Sequence, residues 1–368
     1  MRWWLWLSMY GLLSAVTADA AQLSAPSGFY NPGLQLRASA KSVTCPKVAV
    51  YRGSLTFPSK YEGSGPARDT VNPDSQREFE RLTKPMSDLQ QQSASLSDRL
   101  FKGKGTVQDL QCLVSLWRSW AQEHALEDET PSPVGRAVRK WTLGAIAVNY
   151  LKVQLNLGAQ VPSSDRQLIE RWITALAIQV QKDYSNRSLK QTNNHDYWAA
   201  WGVMASAIVL QRQDLFDWSY GIYQTAMAQI TADGFLPNEL RRKTRAASYH
   251  NFALQPLVVL AAFAQANQQQ PLVLEQHALD RLVNSVLTSM DNPALIEQAA
   301  GARQVQEDLR VGGRLSWMAS YVSISHNDSS LSLVKQLMPL RTSRLGGDQS
   351  FIYLRDRPEI YPERRKTQ

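Results

Sequence analysis

The chain is 368 residues long, 43% apolar and 20% charged, with 17 prolines and 19 glycines spread along it. That much apolar material excludes a disordered, collagen-like or low-complexity chain, and the length suits one large domain or two ordinary ones. Forty Lys and Arg against 32 Asp and Glu leave a formal charge of +8, which favours a polyanionic partner: nucleic acid, anionic membrane or an acidic polysaccharide.

The N-terminus narrows that choice. Arg2, a mostly apolar run from Trp3 to Val16, and Ala18-Asp19-Ala20 have the form of a signal peptide over 1–20, cleaved so that the mature protein starts at Ala21. The apolar run, at roughly 14 residues, is shorter than the ~20 of a spanning helix, and no later segment is apolar enough to cross a bilayer. The mature chain is therefore expected to be exported, without a membrane span. Nucleic acid is then an improbable partner, and an acidic polysaccharide moves ahead. In that oxidising compartment the only two cysteines, Cys45 and Cys112, are expected to pair, the alternative being two buried thiols. Neither they nor the five histidines have metal-ligand spacing, so no metal or cofactor is expected.

Residues 21–58 are irregular, punctuated by Pro26, Gly28, Pro32, Gly33 and Pro46. A Gly/Ser/Pro-rich loop follows near 58–75, carrying Lys60, Tyr61 and Arg68; such a loop is a lid or a solvated linker. From about residue 76 the helical period dominates. Leu168, Trp172, Ala175 and Leu176 form one stripe, with Ser164 and Asp165 as cap and first-turn acid. Similar helices are expected over 107–124, 135–155, 195–211, 214–232, 246–266 and 274–289. Short links between them predict antiparallel pairs, and their number suggests a ring of helix hairpins in a single domain over 21–368. The basic end, 355–368, with Pro358 and Pro362, reads as a mobile tail.

Two segments could carry chemistry. In Lys190-Gln-Thr-Asn-Asn-His-Asp-Tyr-Trp-Ala-Ala-Trp201, a helix starting near His195 would gather Asn194, His195, Trp198 and Trp201 at its positive end, ready for a carboxylate. The structural alternative is an Asn cap, a satisfied histidine and two core tryptophans. In 238–251, Arg242 and Arg245 lie seven and four residues before Tyr249. On a continuous helix both would approach the phenol and lower its pKa from ~10, making it a usable proton carrier. The alternative is a basic, solvated helix end.

With these segments the sequence resembles the family-5 polysaccharide lyases, periplasmic alginate lyases that act on poly-β-D-mannuronate. The matching stretches include Ser59-Lys60-Tyr61-Glu62-Gly63-Ser64, Arg139-Lys140-Trp141, Asn193-Asn194-His195, Tyr197-Trp198-Ala199-Ala200-Trp201, Asn238-Glu239-Leu240, Tyr249-His250-Asn251 and Arg344-Leu345-Gly346-Gly347-Asp348, ordered along nearly the whole mature chain. The resemblance implies an all-α (α/α) toroid with a deep cleft. It also implies a catalytic centre of Asn194, His195, Arg242 and Tyr249. Ser59 and Lys60 become substrate contacts on the lid, and Trp141, Trp198, His250 and Arg344 become cleft-lining positions. One departure stands out: Pro133 and Val134 occupy the place of a substrate-contacting His-Thr pair in many relatives.

The reaction so implied is β-elimination: a base removes the C5 proton beside the uronate carboxylate and the C4 oxygen departs. Arg242 and Asn194 would draw charge onto that carboxylate. Tyr249 is preferred for both proton steps, with His195 as the rival base. A helical-toroid glycoside hydrolase would need two opposed carboxyl groups, for which the motifs offer Asp196 and Glu239; a non-catalytic polysaccharide binder is the other alternative. The resemblance further implies clearance of stray periplasmic alginate, in possible contact with an alginate export complex.

Overall fold

The computed structural model describes residues 22–38, 44–62, 65, 67–305, 307 and 309–362. The expected signal peptide lies outside them, apart from which no described helix is long and apolar enough to cross a membrane. Regular structure begins where the Asn72 side chain accepts hydrogen bonds from the backbone N–H groups of Asp74 and Ser75, with Pro73 at the first helical position. That cap starts α1 (Pro73–Phe101), so the last three residues of the expected loop belong to its first turn. There follow α2 (Val107–Gln122), α3 (Pro133–Leu157), α4 (Ser163–Tyr184), α5 (Asn194–Leu210), α6 (Gln213–Gln229), the single turn α7 (Pro237–Leu240), α8 (Ala246–Ala266), α9 (Ala278–Asp291), α10 (Ala294–Ala300), α11 (Trp317–Ser325), α12 (Leu331–Leu337) and α13 (Gln349–Leu354). A two-residue antiparallel pair, β1 (Arg341–Thr342) and β2 (Gly347–Asp348), is the sheet among the described residues.

The helices alternate between two layers. Helices α1, α3, α5, α8 and α11 follow one another in contact on the inside, and α2, α4, α6 and α9 pack against them outside. The C-terminal turn at Ser343–Leu345 touches α1, α3 and α8, while α13 packs on α11. This is the (α/α) toroid. Burial follows the layers: α3 and α5 bury residues on nearly every face, whereas α9 buries one stripe. Helices α3 and α5 approach closely at Gly144 and Gly202. A Cβ on Gly202 would come within 3.1 Å of the Lys140 carbonyl oxygen, so a small residue there fixes the spacing that the site depends on.

A buried ion network secures the C-terminal turn. Lys152 Nζ lies 2.9 Å from Asp98 Oδ1 and donates to the Gly346 carbonyl, while Asp98 Oδ2 accepts the Asp348 backbone N–H at 2.9 Å. Cys45 and Cys112 form the expected disulfide, with Cα atoms 5.2 Å apart, joining the irregular N-terminal segment to α2.

Three local expectations are corrected. Helix α4 is entered from Pro162 without a side-chain cap, so Ser164 is inside it. Helix α9 starts at Ala278 rather than 274, because Glu275, Gln276 and His277 have positive φ. The start of the expected mobile tail is packed down. Arg355 is buried, bonds the Tyr30 carbonyl and lies over the Phe101 ring, and Tyr361 meets Phe351 edge-on.

Candidate active site

The cleft lies at the inner mouth of the ring and has a volume of about 660 Å³. Its floor begins at the start of α5. Asn193 caps that helix, and its backbone N–H is accepted by Asp196 in a reciprocal capping box. The Asn193 side chain also accepts the His195 N–H at 2.9 Å. This turn aims Asn194 and His195 into the cleft. Asn194 is buried against Glu239, whose oxygens accept its backbone N–H at 2.6 Å and its amide N–H at 2.9 Å. Glu239, in α7, is itself wholly buried; that burial pushes its carboxyl above the usual range, with Arg242 3.6 Å away opposing the shift.

The expected continuous helix over 238–251 does not form. After α7 the chain turns through Lys243, at φ 51°, into a short 3-10 segment before α8 starts at Ala246. The break itself delivers Arg242, whose guanidinium carbon stands 4.6 Å from the centre of the Tyr249 ring. Arg245 instead pairs with Glu307 at 2.9 Å, so only one of the two arginines serves the phenol.

The Tyr249 hydroxyl lies 2.6 Å from that of Tyr61, in the loop before α1. The loop's ends are held together by a bridge between Tyr61 and Val71 and by the Asn72 N–H donating to the Lys60 carbonyl at 2.9 Å. Burial pushes the Tyr249 phenol well above the usual tyrosine value; Tyr61 adds to the rise and Arg242 pulls against it. The expected fall from the arginine is thus outweighed by burial. His195 is held neutral: burial first, then the positive charges of Lys140, Arg242, Arg68 and Arg187, drive its pKa well below the usual value.

Ser59, Lys60, Trp141 and Arg344 also line the cleft. Arg344 lies over the Trp141 ring at 4.2 Å, and its backbone oxygen accepts from the Trp201 indole at 3.1 Å; burial lowers its pKa to about 10. Pro133 and Val134 form part of the wall, so the departure from the family pattern falls on the cleft surface.

Two expected cleft residues are elsewhere. Trp198 is buried in the core against Phe252, with ring centroids 5.1 Å apart, so Phe252 rather than Trp198 faces the opening. His250 is a satisfied core histidine: it donates to the Ala246 carbonyl at 2.7 Å and accepts the Leu236 N–H at 2.9 Å, and burial lowers its pKa to about 4. For Trp198 this is the core tryptophan of the structural alternative; for His250 no such alternative was set out. Sequence reasoning assigned no role to Lys140 and noted Tyr61 only as part of its loop, although each sits inside a quoted motif next to a residue it did select; Glu239 it offered only as a hydrolase carboxyl, not as the partner of Asn194.

The carboxylates offered for a hydrolase are not opposed across the cleft. Glu239 is occupied as above, and Asp196 is buried and paired with Arg187 at 2.6 Å. Glu307, on the wall, is held by Arg245 and by Arg314 at 2.7 Å. No group of three or more His, Cys, Asp and Glu among the described residues is placed to hold a metal ion.

A family model described as alginate lyase matches residues 56–296. Proteins named alginate lyase from Cobetia marina and from Pseudomonas aeruginosa strain PAO1 are each 36% identical to the chain, the first covering 93% of it and 92% of the relative, the second 94% of both. Among solved structures, alginate lyase A1-III from Sphingomonas species A1 superposes with a TM-score of 0.73 at 22% identity, over 84% of this chain and 85% of that one. A histidine-to-alanine variant of A1-III complexed with tetrasaccharide gives 0.76 at 21% identity, over 91% and 97%. At those identities the solved structures speak for the fold.

Proposed function

The chain belongs to the alginate lyase family, and from that premise we propose that it is a periplasmic enzyme cleaving poly-β-D-mannuronate by β-elimination in this cleft. The observation that carries the reading is the gathering of Tyr249, Arg242, Asn194 and His195 in one cleft where the carboxylates of Asp183 and Glu307, and those of Glu239 and Asp196 behind it, are engaged by protein partners. A hydrolase needs two free, opposed carboxyl groups. An elimination needs a proton carrier and a means of spreading charge onto a carboxylate, and the gathered residue types supply these.

In the proposed reaction a uronate carboxylate sits against Arg242, Asn194 and His195. The Asn194 amide nitrogen lies 2.9 Å from both Glu239 oxygens, which hold it in place beside Arg242 and His195. These groups stabilise the enolate-like charge that forms as the C5 proton leaves, where fixed donors are worth most. In mannuronate the C5 hydrogen and C4 oxygen lie on one face, so Tyr249 as phenolate takes the proton and returns it to the departing oxygen. Arg242 stabilises that phenolate. The C5–H bond and the C4–O bond break, a C4=C5 double bond forms, and no water is consumed. His195 orients the carboxylate. Lys60 and Ser59 on the lid, with Arg344 and Trp141 opposite, hold the flanking sugars.

The cellular role we propose is clearance of polymer that strays into the periplasm during export, beside an export complex. Deleting the gene in an alginate-producing host should raise periplasmic alginate; an unchanged level would favour a nutritional role. Incubation with alginate tests the chemistry. Rising ultraviolet absorbance marks unsaturated ends and a lyase, reducing sugar without absorbance marks a hydrolase, and neither marks a binder.

A further inference from the structure

Lys140 is wholly buried in α3, in the Arg139-Lys140-Trp141 motif, and takes no part in the reaction as described above. Its Nζ lies 2.7 Å from His195 Nδ1, 2.9 Å from the His195 carbonyl oxygen and 3.0 Å from the Tyr184 hydroxyl. An ammonium has three donors and no acceptor, and here three acceptors surround it. Among the described residues the other ring nitrogen, Nε2, makes no hydrogen bond with the protein, and His195 lines the cleft.

We propose that Lys140 is a positioning residue: its ammonium donates to Nδ1 and so holds neutral His195 in the tautomer with the proton on Nε2. The inference rests on the elimination reading and deepens it. A histidine in that tautomer has no lone pair to offer C5; it presents an N–H to the uronate carboxylate. It is then a donor in the charge-stabilising set, and Tyr249 is left as the proton carrier. The opposite arrangement, a neutral amine accepting from an Nδ1–H, would leave Nε2 a free base. The choice between donor and base is thus made one residue behind the cleft, by a single proton.

The groups facing this pair from the surrounding elements are Tyr184 and Asp183 of α4, Arg187 after it, Asp196 of α5, Arg242 after α7, Arg68 of the loop before α1, and Arg344 of the C-terminal turn. Burial pushes the Lys140 ammonium well below its usual value, while the negative charge of Asp196 acts in the other direction. The short contact to Nδ1 has the length of a charge-assisted hydrogen bond, and an arriving uronate carboxylate adds negative charge on the same side. The Gly144–Gly202 approach sets the helix spacing at which the amine reaches the imidazole.

Imidazole nitrogens with and without a proton have distinct ¹⁵N shifts, and the chain has five histidines. His195 is assigned in ¹⁵N-histidine-labelled protein by loss of its signals in His195→Ala. The unliganded wild type should show protonated Nε2 and unprotonated Nδ1. Lys140→Met keeps most of the stem and removes the donors; it should give mixed tautomers and lower kcat at least ~10-fold with KM little changed. Protonated Nδ1 in the wild type overturns the proposal, and so does a Lys140→Met enzyme that keeps the Nε2–H tautomer or its kcat. The wild-type spectrum decides even if the variant does not fold. Failure of the elimination reading shows separately, as wild type that makes no unsaturated product whatever its tautomer.

Discussion

Tyr249 sits where two opposing influences can be compared. Burial raises its pKa and Arg242 lowers it, and burial prevails. If the phenolate is the base, the rate should climb with pH through the alkaline range and should not level off at ~10, where an unperturbed tyrosine is half ionised. A plateau near neutrality would point to another base. Tyr249→Phe preserves the ring and removes the transferable hydrogen; kcat should fall by about 10²–10⁴ with KM held. Single-turnover absorbance on mannuronate oligomers checks this, and activity within a fewfold of wild type would end the Tyr-centred mechanism. Glu239 offers a stability test at the same scale. Glu239→Ala strips the acceptors from the Asn194 backbone and amide N–H groups in a buried place, at a cost of about 1–3 kcal/mol per unsatisfied group. Urea unfolding should show the loss, and Glu239→Gln should recover part of it.

At the scale of elements, what the sequence made legible was whatever depends on local pattern. The periodic stripes predicted α8 to the residue and α2, α3, α5 and α6 to within about three residues at each end. Where three-dimensional packing decides, the pattern was silent. Nothing local shows that the chain breaks at Lys243 and so swings Arg242, not Arg245, over Tyr249. Nor does spacing distinguish Trp141 at the cleft from Trp198 in the core, because both are tryptophans within helices and only the ring of neighbours separates them. His250 follows Tyr249 directly and yet points to the core, since successive helix positions diverge. Tyr61 and Tyr249 meet only through the fold, across a sequence separation of 188. The disulfide, by contrast, followed from the cysteine count and the expected compartment. It closes a stretch with a sequence separation of 67, which in the chain-entropy model restricts the unfolded state by about 4 kcal/mol. Cys112→Ser should lower stability by up to that amount under oxidising conditions. Two titratable thiols in non-reduced, denatured wild type would contradict the bond.

Over the whole molecule, the +8 charge and the cationic cleft suit a polyanion. Lys60, Arg68, Arg187, Arg242, Arg314 and Arg344 all line the cleft, so KM for polymer should rise with added salt as ions screen them. EDTA treatment should leave activity unchanged. Pro133 and Val134 add an apolar stretch to the same wall. The most direct test of the central claim is to digest polymannuronate and polyguluronate side by side with purified protein while recording ultraviolet absorbance. The account predicts a rapid rise with polymannuronate, a much slower one with polyguluronate, and neither with Tyr249→Phe. Equal rates on the two polymers, or reducing ends released without absorbance, would contradict it.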